Sequence, residues 1–120
     1  MGRLSEELRS RTENFGDRML DVVRALEAKR IYPRVIHQMV GCGTSVGANT
    51  CEADQAASAR DFCRALGIVL KELSESAYWL RMCVRRGWLT ERRLAPLLAE
   101  CDPLARIFGT MVARTRRKRA

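Results

Sequence analysis

The chain has 120 residues, 47% of them hydrophobic and 30% charged, with 22 Lys or Arg against 14 Asp or Glu and a net charge of +8. That length supports one hydrophobic core and excludes two. No apolar run approaches the roughly 18 residues of a membrane span, and residues 1–11 alternate charge with leucine instead of building a signal peptide, so a cytoplasmic protein is expected.

With 8 Gly and 3 Pro the chain should contain few, long elements. The first helical pattern covers residues 5–29, where Phe15, Met19, Val22 and Leu26 recur along one face, widened by Leu8 and Val23. It stops at Arg30-Ile31-Tyr32-Pro33, because proline biases its predecessor out of helical geometry and then suits the first turn of a new helix. The second helix is expected over residues 33–53, carried by Val35, Met39, Cys42, Val46 and Ala53. Gly41, Gly43 and Gly47 each cost roughly 1 kcal/mol relative to alanine, which argues for a break. Against a break, Gly43 and Gly47 lie four apart and would form a smooth strip for another helix to approach. No preceding strand and no Gly-Lys-Ser/Thr ending supports a phosphate loop there.

Ser58, three residues before Asp61, has the pattern of an N-cap with an acidic first turn. The third helix, to about residue 86, shows Phe62, Leu66, Val69, Leu73, Ala77, Leu80 and Val84 at bundle-core spacing, with Lys71 and Glu75 as an outer i,i+4 pair. Gly87 sits where a helix C-cap wants it, and Thr90 can cap a fourth helix carrying Leu94, Leu97, Leu98, Cys101, Leu104, Ile107, Phe108 and Met111. Pro103 inside that helix predicts a kink near Ala99. Beyond Arg114 no apolar face continues, so residues 1–113 are read as the bundle and 114–120 as a disordered basic tail. Four amphipathic segments with short connections and no strand pattern predict an all-α, antiparallel up-and-down four-helix bundle with a kinked fourth helix.

The five cysteines match no zinc or redox spacing and read as small buried hydrophobes, with Cys42 and Cys51 on opposite sides of one helix and Cys101, near the kink, the likeliest thiol to react. His37 is the single histidine and lacks the Glu-x-x-His pairing of a di-iron bundle. It also has no orienting partner in sequence, so neither metal, cofactor nor enzymatic activity is expected. Charge is the stronger signal. Arg81, Arg85, Arg86, Arg92 and Arg93 surround the third turn, and Arg114, Arg116, Arg117, Lys118 and Arg119 end the chain. Both clusters favour polyanions.

A second face on the third helix, Ile68, Glu72, Glu75 and Trp79, is turned roughly 100° from the core stripe and predicts contact with another subunit, the alternative being that Trp79 caps the core edge with its indole N–H in water. Ser45, Asn49 and Glu52 form a polar row on the second helix that could meet Lys71, Glu72 or Glu75 across that interface.

Gly43-Thr44-Ser45-Val46-Gly47-Ala48-Asn49, Glu52-Ala53, Asp61-Phe62, Lys71-Glu72, Glu75 and Tyr78-Trp79-Leu80 together resemble a bacterial family. It is the four-helix bundle family named for proteins encoded in ribosomal RNA intervening sequences, in one superfamily with the accessory variability protein of diversity-generating retroelements. The resemblance implies a cytoplasmic closed ring, usually a pentamer. In the retroelement branch it implies a basic surface facing a reverse transcriptase and nucleic acid. By position, Ser45, Asn49, Glu52, Glu72, Glu75 and Trp79 fall on the family's signature places in bundle and subunit packing. Gly41 and Cys42 depart from the usual arginine and serine, and the general pattern is closer to the intervening-sequence branch. Two functions are therefore expected to compete: an oligomeric RNA- or DNA-binding accessory protein, and a scaffold that binds a protein partner such as a reverse transcriptase without touching nucleic acid.

Overall fold

The computed structural model describes residues 2–119, the side chain of Arg119 excepted. Four helices run α1 Glu6–Ala28, α2 Pro33–Asp54, α3 Ala59–Arg85 and α4 Glu91–Arg119. Sequential helices pack as antiparallel neighbours, while α1 and α4 meet sparsely, and the molecule measures 48 × 23 × 19 Å. The sparse seam is bridged by a bidentate pair, Arg11 Nε to Glu100 Oε2 at 3.1 Å and Arg11 Nη2 to Glu100 Oε1 at 2.9 Å.

The caps at Ser58 and Thr90 follow the residues that predicted them, and the structure adds one at Ser5. Ser5 Oγ accepts the Leu8 N–H at 3.1 Å, Ser58 Oγ accepts the Asp61 N–H at 3.1 Å, and Thr90 Oγ1 accepts the Arg93 N–H at 3.2 Å. After α3 the Trp88 N–H returns to Cys83 O at 2.9 Å and the Gly87 N–H to Val84 O at 3.0 Å, a Schellman motif with Gly87 at φ +69°. The end of α1 repeats it with Ile31 to Leu26 O at 3.1 Å and Arg30 to Glu27 O at 2.9 Å. There the left-handed position is filled by Arg30 at φ 56°, a conformation that costs a side-chain-bearing residue about 1 kcal/mol.

The core follows a seven-residue repeat in α3, where Phe62, Leu66, Val69, Leu73, Ser76, Leu80 and Cys83 are buried. The stripe thus passes through Ser76 and Cys83, with Ala77 and Val84 half-buried at its edge. A polar residue at a core register hid this from the hydrophobic pattern. Ser76 is wholly buried, and its Oγ has no partner of hydrogen-bond geometry. The expected Lys71–Glu75 pair is not among the ion pairs of the described residues; Glu75 Oε2 instead accepts the Trp79 indole N–H at 3.2 Å.

The glycine-rich stretch leaves α2 unbroken. Gly43 and Gly47 face α1: a Cβ at Gly43 would collide with Met19 Cγ and lie 2.7 Å from Met19 Cβ, and one at Gly47 would lie 3.3 Å from Thr12 O. The strip lets two helix backbones approach closely, and burial of Met39, Cys42, Val46 and Ala53 beside it offsets the poor helix propensity. In α4 the helix is also continuous through Pro96 and Pro103, each of which deprives the carbonyl four residues earlier of its donor. In place of a disordered segment from 114, the helix continues to Arg119, and Thr115 Oγ1 donates to Met111 O at 2.8 Å; Ala120, the last residue of the expected tail, lies outside the described residues.

At the end holding the α2–α3 turn, an N-terminal strap closes the core. The Arg3 N–H donates to Asp54 O at 3.1 Å, Arg3 Nε donates to Ala56 O at 3.0 Å, and the guanidinium lies 5.6 Å from the Phe62 ring centroid. Buried Asp54 Oδ1 accepts the Leu4 N–H at 2.6 Å, and that bond is the main cause holding the carboxyl below its ordinary value of 3.8. A carboxyl lowered in the folded state contributes stability above its unfolded value, and the contribution is lost as acid protonates it. The thermal midpoint is therefore expected to fall as pH drops below 3.8, whereas Asp54→Asn should be less stable at neutral pH with a flatter profile. Parallel pH profiles for the two proteins would contradict this role for the carboxylate.

Candidate nucleic-acid interface

The antiparallel order brings the α1–α2 and α3–α4 turns to the same end of the bundle. Segments 24–37 and 81–93 together hold nine Lys or Arg against Glu27 and Glu91, net +7 of the chain's +8. Lys29, Arg30, Arg34, Arg85, Arg86, Arg92 and Arg93 are all exposed there. None of them makes an ion pair among the described residues. The two turns border a surface cleft of ≈ 670 Å³, lined among others by Lys29, Gly87, Trp88, Thr90, Glu91 and Arg93. Trp88 is half-buried, and Tyr32 makes a T-shaped contact with it, ring centroids 6.2 Å apart, with 65% of its surface exposed.

The fold separates the candidate cations into groups. Arg85, Arg86, Arg92 and Arg93 gather at this end, while Arg81 lies a turn further along α3 in a groove with Tyr78, Met82, Val84 and Leu98. Arg114, Arg116, Arg117 and Lys118 lie at the far end of α4, which at 29 residues spans about 43 Å. The side chain of Arg119 falls outside the described part. Sequence reasoning overlooked Lys29, Arg30, Arg34 and Tyr32, because each is unremarkable within its own segment and gains company only when the two turns meet.

The other candidate face lies along the α2–α3 seam. Ser45, Asn49, Ile68, Glu72, Glu75 and Trp79 are half-buried in the protomer, and Glu52 is exposed. Asn49 Nδ2 donates to Ser45 O within α2 at 2.9 Å, so the polar row is tied to its own helix. Cys42 of α2 feels Ser76, Glu75 and Glu72 of α3, so the two rows flank one seam. Burial pushes the Glu72 carboxyl up, and repulsion from Glu75 adds to the shift against a smaller opposing effect of Lys71.

The four buried thiols do not suit nucleophilic chemistry. Cys42, Cys63, Cys83 and Cys101 are buried and Cys51 is exposed. Burial raises Cys42 and pushes Cys83 and Cys101 up to about 11. This corrects the expectation for Cys101: its position at a core register, not the nearby proline, sets its reactivity. Maleimide at neutral pH should label Cys51 first, read by peptide mass spectrometry, with the other four protected until unfolding; equal labelling of Cys101 and Cys51 would contradict the buried placement. His37 is exposed, and no group of three or more His, Cys, Asp or Glu able to hold a metal ion occurs among the described residues. No helix of the described residues is long and apolar enough to cross a membrane.

Fold and surface together define an all-helical bundle with a strongly basic end and a half-buried acidic and aromatic seam. The chain belongs to the 23S rRNA-intervening sequence protein family, whose model matches residues 7–110. It is similar to a crystal structure from Bacteroides thetaiotaomicron VPI-5482, described as a protein with unknown function from the S23 ribosomal protein family. The TM-score is 0.82 at 26% identity, covering 88% of this chain and 97% of that one. No curated protein matches the chain significantly.

Proposed function

We propose that this chain is a non-enzymatic, cytoplasmic, homo-oligomeric bundle protein, assembled as a pentameric ring, that binds nucleic acid through its basic end. The observation that carries the reading is the meeting of two inter-helix turns in one surface that presents seven exposed cations, Lys29, Arg30, Arg34, Arg85, Arg86, Arg92 and Arg93. Exposed cations in such a patch exchange condensed counterions for phosphates, which gives binding that tolerates sequence and weakens steeply with salt. The family's description names 23S rRNA, which makes RNA the first ligand to test.

Assembly is supported by the α2–α3 seam. Glu72 and Glu75 are half-buried and repel one another, and the half-buried Trp79 keeps part of its ring in water. A cation and an apolar surface from a second copy would relieve both conditions.

A scaffold role is favoured by a different observation. Tyr78, Met82, Val84 and Leu98 line a groove of ≈ 570 Å³ between α3 and α4 that suits an apolar side of a protein partner, for which a reverse transcriptase is one candidate. Native mass measurement with and without RNA tests both readings. A closed oligomer that takes up RNA at low salt and releases it at high salt supports the first. A monomer at micromolar concentration removes the assembly, and RNA binding indifferent to salt removes the electrostatic interface. A partner retained after nuclease treatment, with no RNA bound by the purified protein, selects the scaffold.

A further inference from the structure

We infer that the basic end takes an unpaired base of a single-stranded nucleic acid, stacked on Tyr32 beside the cleft between the two turns, with the adjoining phosphates held by Lys29 and Arg93, which line that cleft. The inference rests on the nucleic-acid reading and adds to it the strand state of the ligand.

Tyr32 is 65% exposed, far more than a ring recruited merely to cover the core edge. It is nevertheless held in place. It occupies the cap position of α2 directly before Pro33, and its ring meets Trp88 edge-to-face at 6.2 Å. The Trp88 backbone N–H donates to Cys83 O at 2.9 Å, and its side chain is half-buried against the core. An aromatic ring braced on one side and open to solvent on the other offers a stacking platform. Lys29 and Arg93 come from different turns and line the same cleft as Trp88, so cations flank the aromatic floor. Arg30 adds a further charge from a left-handed position where glycine would be less strained.

Cations alone would hold duplex and single strand alike. The faces of paired bases are occupied by their neighbours in a helix, so an exposed ring gains stacking only from unpaired bases. Strand state is therefore the readout that separates Tyr32 from its charged surroundings.

The test measures fluorescence anisotropy of the full chain with labelled single-stranded RNA of roughly 12 nucleotides, DNA of the same sequence, and an RNA duplex. Tyr32→Ala is expected to weaken binding of single-stranded RNA about 10-fold and leave the duplex unchanged, while Tyr32→Phe keeps the wild-type affinity. Circular dichroism of each variant checks the fold, and photocrosslinking of oligouridine to wild type should label the peptide containing Tyr32 or Trp88. The DNA arm distinguishes the source of the base: an equal loss on DNA shows that any unpaired base serves. Wild-type affinity of Tyr32→Ala for the single strand, or an equal loss on duplex and single strand, overturns the stacking site while leaving the basic interface standing. Absence of binding to every probe by the wild type overturns both readings.

Discussion

Replacing Arg85, Arg86, Arg92 and Arg93 together with alanine is expected to lower RNA affinity about 10³-fold at roughly 0.1 M salt, while the helical signal and the native mass of the protein stay unchanged. Each phosphate neutralised on a single strand contributes about 0.7 to the slope of log affinity against log salt, so four lost contacts should flatten that slope by about 3. The four side chains are exposed and make no ion pair among the described residues, which is why the fold should tolerate their removal. Removing Arg114, Arg116, Arg117 and Lys118 instead should cost less. Those residues surround the last turns of α4 at the other end, where Glu6, Glu7, Glu52 and Asp61 also lie. Unchanged affinity and slope in the first variant would remove the basic end from any account of binding. A larger loss in the second would move the interface to the far end.

Gly43→Val is expected to destabilise the protein by about 3 kcal/mol, whereas Gly41→Ala in the same helix should stabilise it by about 1 kcal/mol. Both glycines carry the same local propensity cost, so a purely local account predicts a gain at each. Position 43 faces α1, where an added Cβ would clash with Met19 at its Cγ and also at its Cβ, which is anchored directly to the α1 backbone, and Met19 is wholly buried. A side chain at 43 must separate the two helices along their closest approach. Position 41 is exposed and a Cβ there meets nothing within 4 Å. Against a typical total of 5–15 kcal/mol, roughly 3 kcal/mol is a large fraction and will show plainly in urea unfolding. Equal stability of the two variants would mean that the strip is not a contact surface.

Much of the architecture was legible in the residues themselves. Ser58, Thr90, Pro33 and Gly87 mark helix boundaries by local hydrogen bonding and backbone preference, which need no tertiary partner. Apolar periodicity gave most of each core face for the same reason, because a helix fixes which side chains share a side. It failed where a polar residue holds a core register, as at Ser76, and where both a helix and a tail satisfy the local pattern, as beyond Arg114. Asp54 and its strap were not visible either, since a hydrogen bond from Leu4 fifty residues away leaves no periodic trace.

By itself, then, the order of residues determined four amphipathic helices, their caps, the basic turn between α3 and α4, and the family to which they belong. Tertiary structure decided which of the charges act together. Placing Lys29, Arg30, Arg34 and Tyr32 beside Trp88, Arg92 and Arg93 depends on antiparallel packing of helices far apart in the chain. The physical reason is that propensity and periodicity act over a few residues, whereas an electrostatic surface sums every charge within about 10 Å in space, whatever its distance along the chain.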